Sequence, residues 1–193
     1  VFAMTETDGG DANTTADYLK NAEFAKVLVS NGQNLWGGWL NNAAYPYYWP
    51  NVKKLYFAGV SKSGNVNNDA EPTYSDGTIT INGYQSGNGT AAKGDNDLMW
   101  FPTTAPVGRG DKAAGQELVD GNVNVTMKHA CAWISVKVKR DGETTNDSWK
   151  LDGLKINGLY HEGDVVCGDA AADWTVSGDP AAETVFSEAG PAL

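Results

Sequence analysis

The chain has 193 residues, 24 acidic against 14 basic side chains, and a formal net charge of −10. That length can bury a core for one large domain, or for one domain plus part of a second. Scattered Lys and Arg under an acid excess exclude a nucleic-acid partner, and no run approaches the ~18 apolar residues of a membrane-spanning helix.

Val1-Phe2-Ala3-Met4 reads as the middle of a strand, with no signal peptide, as expected of a processed or truncated piece. Asp8 to Thr15 is a polar, Gly-rich loop. Thr14 to Lys26 carries the best helix signal, with Thr14 and Asp17 spaced like a capping box; a loop leading into a strand over Ala25 to Ser30 competes with it. Asn31 to Trp49 is expected as an aromatic loop. Val52 to Val60 reads as a strand buried on both faces, because Leu55 and Phe57 oppose Tyr56, Ala58 and Val60. Asp76-Gly77 is a turn, Thr78 to Asn82 alternates with Ile79 and Ile81 on one face, and Asn82-Gly83 should end that strand. Gln85 to Asp97 reads as a loop, and Leu98 to Phe101 as a short apolar run stopped by Pro102.

The longest alternation lies in Asn122 to Lys139. Ala132, Ile134, Val136 and Val138 share one parity and Trp133, Ser135, Lys137 and Lys139 the other, which predicts a core strand bent near Lys128 to Ala130. Val136→Asp is therefore expected to unfold the protein. Trp149 to Ile156 should be its hairpin partner, and beyond Gly163 the Ala, Gly, Asp and Pro content reads as a connector. Many short strands and turns, rich in the 23 glycines, predict an all-β sandwich.

Nothing in the sequence assembles catalytic, metal-binding or cofactor-binding residues. His129, beside the expected bend, reads as structural, and His161-Glu162 as a turn rather than a zinc motif. Asp95-Asn96-Asp97 lacks the glycine and glutamate of a calcium loop. Arg109-Gly110-Asp111 reads as a plain turn, and the four Asn-x-Ser/Thr triplets at Asn13, Asn88, Asn124 and Asn146 as composition. Cys131 and Cys167 fit no metal or redox spacing, so a disulfide and two buried thiols both stay open. In the aromatic loop, Trp36, Trp39, Tyr47 and Trp49 could stack on sugar rings as a glycan-binding module, or plug one end of the sandwich.

An ordered set of segments resembles the fimbrillin family of Bacteroidetes pilus subunits and adhesins. Val1-Phe2-Ala3 is similar to the family's "IGVFA" strand, and Tyr18-Leu19-Lys20-Asn21-Ala22 precedes a β segment. Tyr48-Trp49-Pro50 stands ahead of Leu55-Tyr56-Phe57-Ala58, and Asp97-Leu98-Met99 follows the long loop. The run from Met127 through His129, Ala130, Cys131 and Ala132 to Val136 resembles F-x-H-A-L-A-K-V-x-V, with Cys131 and Trp133 in place of Leu and Lys. The resemblance implies a transthyretin-like Greek-key sandwich over residues 1–165, with 166–193 a connector or the beginning of a truncated second β domain. It implies a non-catalytic subunit made as a lipoprotein precursor and displayed at the outer membrane or in an extracellular pilus. Its partners would be other subunits, joined by strand exchange, and a host protein or glycan receptor in adhesion.

Overall fold

A computed structural model describes residues 1–28, 34–40, 43–44, 47–48, 54–62, 71–86, 97–107, 123–132, 134, 136–137 and 153–186. It contains β1 (Phe2–Thr5), β2 (Glu23–Leu28), β3 (Asn34–Leu40), β4 (Ala43–Ala44), β5 (Leu55–Lys62), β6 (Thr73–Ser75) and β7 (Thr78–Gln85). These are followed by β8 (Leu98–Phe101), β9 (Lys128–His129), β10 (Leu154–Leu159), β11 (Glu162–Cys167), β12 (Ala172–Ser177) and β13 (Ala181–Phe186). No helix occurs among the described residues.

Two four-stranded antiparallel sheets form the sandwich, one in the order β1-β5-β8-β9 and the other β12-β11-β7-β6. The first contributes Phe2, Met4, Tyr56, Ala58, Leu98 and Trp100 to the shared core, and the second contributes Ile79, Ile81, Tyr84, Val165 and Cys167. Phe2 of one layer stacks on Tyr74 of the other at 5.9 Å. Stacked rings contribute about 1 kcal/mol beyond the area they bury.

The two layers differ on their outer sides. The first is apolar there too: Ala3, Leu55, Phe57 and Phe101 form a second cluster, covered by Leu19, Tyr18, Phe24 and Tyr47. This is why β5 is buried on both faces, as its run of apolar residues predicts. The second layer faces solvent with Glu162, Asp164, Val166, Asp173 and Thr175, so β11 alternates exposed and buried along its length.

Local chemistry explains several junctions. Asp76 and Gly77 both adopt positive φ, 46° and 79°, as a two-residue hairpin between β6 and β7 requires. Asn82-Gly83 does not end β7. Gly83 takes φ 65° at a register shift against β11, the Asp164 carboxylate accepts its amide at 2.7 Å, and the strand continues to Gln85. Gly59 lies across from Phe101, where a Cβ would stand 2.5 Å from the ring.

The helix expected over residues 14–26 is absent. Ala3 and Leu19 exchange backbone hydrogen bonds, Thr15 bridges to Ser75, and β2 begins at Glu23. Asp17 caps no helix. Its carboxylate accepts the Thr5 amide at 2.7 Å, the Thr5 hydroxyl and the Asn13 amide group. Burial pushes this carboxyl up, but those bonds and one from its own backbone outweigh burial and hold it below the ordinary aspartate range. The long-range pairing to β1 overrides a weak local helix preference. The expected aromatic loop is also corrected: β3 and β4 occupy much of it, with β2, β3 and β4 forming a three-stranded sheet.

The largest correction concerns Val123 to Val138. Among its described residues, only Lys128 and His129 form a strand, paired with Trp100 and Met99. Ala132, Ile134 and Val136 pair with no strand among the described residues, and Ile134 and Val136 are 53% and 47% exposed. Trp133, Ser135 and Val138 lie outside the described residues. Of the expected hairpin partner, Leu154 to Ile156 belong to β10, which pairs with β13, and 149–152 are not described. Residues beyond Gly163, read from composition as a connector, instead supply the β11–β12 hairpin, so the expected boundary at 165/166 falls within β11.

Candidate functional site: the seam between β9 and β12

The edge strand of each layer, β9 and β12, lies on the same side of the sandwich, and reciprocal indoles tie them. Trp100, from β8, donates its Nε1–H to the Gly168 carbonyl at 3.0 Å, while Trp174, from β12, donates to the Ala130 carbonyl at 2.8 Å. Lys128 adds bonds to the Asp169 and Ala170 carbonyls, with its ammonium 5.7 Å from the Trp100 ring centroid. Each indole buries a large apolar body and satisfies its one donor on backbone of the opposite layer.

Past Ala130 the closure ends. Cys131 is half-buried, whereas Ala132, Ile134 and Val136 keep the alternation of a core strand yet face solvent. On the other layer, Trp174 and Val176 pair across from Val165 and Gly163, so they share the inward-facing side. Val176 is nevertheless 50% exposed. Gly163 sits under this pair with no space for a side chain: a Cβ would meet the Thr175 carbonyl oxygen at 2.7 Å. The seam thus combines apolar side chains with a two-residue edge strand.

The residues singled out from sequence scatter around this site. His129 is not in a buried strand as expected; it is on the surface, its Nδ1 2.7 Å from the Asp97 carboxylate. His161 joins β10 to β11, and its carbonyl accepts the Ser86 amide at 2.8 Å. Among the aromatic candidates, Trp36 and Trp39 are both on β3, and Tyr47 stacks on Phe24 at 5.6 Å, against the outer cluster of the first layer. Trp49, the 109–111 tripeptide, Asp95, Asn88 and Asn146 lie outside the described residues. Tyr48, which was not singled out, is 78% exposed. Asn13 is in the polar loop bonded to Asp17, and Asn124 is exposed in the segment before β9. Trp100, Trp174 and Lys128 were missed. No motif marks them, since their role depends on which carbonyl each reaches across the layers.

Among the described residues, no three His, Cys, Asp or Glu side chains converge as a metal site, and no helix is long and apolar enough to cross a membrane. A family model described as fimbrillin-like matches residues 1–189. The chain belongs to the fimbrillin-like family. No curated protein and no solved structure gives a significant match. Fimbrillin-like proteins are structural subunits of surface pili, so this one is a cell-surface pilus component that associates with other pilus subunits. The match includes the β11–β12 hairpin and β13 as well as the segments that carry the resemblance.

Proposed function

We propose that this fimbrillin-like protein is a non-catalytic pilus subunit or adhesin that joins its neighbours by β-strand addition at the β9–β12 seam. One observation carries the proposal: an alternating apolar segment, Ala132, Ile134 and Val136, is exposed and pairs with no described strand, beside an edge strand of two residues. An incoming strand would satisfy the open backbone edge and cover the side chains. Covering the exposed halves of Ile134, Val136 and Val176 would contribute about 1 kcal/mol each, leaving the remainder to backbone bonds. The transthyretin-like Greek-key arrangement, export as a lipoprotein, attachment at the outer membrane or release into an extracellular pilus, and adhesion to a host receptor belong to the same proposal. So does a second β unit beginning near the end of the chain.

The test uses Ile134→Asp with Val136→Asp, both at exposed positions. The double variant should melt with wild-type cooperativity but lose polymer formation in size-exclusion chromatography. Undiminished polymerisation would remove the seam as the joint.

A second reading, a glycan-binding module using Trp36, Trp39, Tyr47 and Trp49, is supported by exposed Tyr48 next to packed Tyr47. Titrating host and mucin glycans should then show binding that Trp39→Ala abolishes. Equal binding by the variant, or none by either protein, rejects the module.

A further inference from the structure

The two cysteines flank the ties that close the seam. Cys131 follows Ala130, whose carbonyl accepts the Trp174 indole, and Cys167 precedes Gly168, whose carbonyl accepts the Trp100 indole. Cys167 is fully buried on β11 and Cys131 half-buried just after β9, so the thiols come from opposite layers. Both belong to one core cluster, Cys167 as a buried member and Cys131 packed against it, and both are free thiols. We propose that Cys131 and Cys167 form a redox-operated clasp: oxidation joins the two layers covalently at the seam, and reduction leaves the non-covalent ties of the indoles and Lys128.

The half-buried thiol is the point of entry. The Cys131 thiolate attacks a small disulfide such as oxidised glutathione, forming a mixed disulfide and releasing one small thiol. The Cys167 thiolate then attacks the Cys131 sulfur, expelling the second. Two electrons pass from the protein thiols to the small disulfide, which leaves as two thiols carrying both protons. Burial, and then the charge of neighbouring Cys131, pushes Cys167 up to about 11. Burial also raises Cys131, more than an amide bond from Leu98 lowers it. Clasp formation should therefore speed up about tenfold per pH unit between pH 7 and 9, tracking the thiolate fraction.

The clasp is internal to one chain, so its test is independent of polymerisation. The native protein is incubated with oxidised glutathione, alkylated without reduction and mapped by mass spectrometry. The expected result is a single peptide pair bridging residues 131 and 167, with amide exchange slowed across residues 130–136. Closing a loop of that length should raise Tm by about 10 °C, an increase that dithiothreitol reverses and Cys131→Ser prevents. Independent alkylation of both cysteines, bridging only between chains, or the same Tm increase in Cys131→Ser would overturn the proposal.

Discussion

β5 and the segment after Ala130 carry equally persuasive apolar patterns and meet opposite fates. In β5, Leu55 and Phe57 pack into the outer cluster while Tyr56 and Ala58 enter the inter-layer core. β1 and β8 flank β5 and supply its backbone partners. Ala132, Ile134 and Val136 have matching alternation without a described neighbour. Periodicity records how a segment is prepared to pair, whereas burial depends on what stands beside it.

Paired substitutions would break this contrast most sharply. Ala58→Asp places an unpaired charge between the layers and should abolish cooperative folding, whereas Val136→Asp should change stability by less than ~0.5 kcal/mol. Urea denaturation distinguishes them, and unfolding by Val136→Asp would place that residue back in the core. Next in size is Gly59→Ala, which drives a methyl group into the Phe101 ring and should cost about 1–3 kcal/mol; a variant with wild-type Tm would show that the ring swings aside freely.

A smaller loss is expected from Trp174→Phe, which keeps most of the apolar body but withdraws the donor from the Ala130 carbonyl. About 1 kcal/mol and faster amide exchange confined to the seam are expected, with β5 unaffected. The smallest effect is acid sensitivity at Asp17. Its folded pKa is depressed, so its contribution is present above the unfolded aspartate value and fades as pH falls through the lower, folded one. In Asp17→Asn the acid limb of a stability-versus-pH curve should flatten; an unchanged limb would assign acid sensitivity to other carboxyls.

What was legible in the sequence was local. β5, β8, the Ile79/Ile81 face and the Asp76-Gly77 turn could be read because each signal is contained in a few adjacent residues. β11 was obscured because Gly163 and Asp164 dilute its alternation, although Val165 and Cys167 are among the most deeply buried side chains. β3 was obscured because Gly37-Gly38 between tryptophans resembles a loop. The helix expected at 14–26 lost to the Ala3–Leu19 bonds, which no local window contains. The candidate site was least legible: its alternating residues were identified but assigned to the interior, and the indole ties depend on spatial partners.

The wet side of the β12-β11-β7-β6 sheet has a consequence for how copies can crowd together. Glu162, Asp164 and Asp173 project from it without an interspersed lysine or arginine on β11 or β12. Two such sheets brought broadside would confront carboxylate with carboxylate, a repulsion that strengthens as ionic strength falls. Flat stacking is disfavoured by charge, and lengthwise growth through edges is the geometry that avoids it.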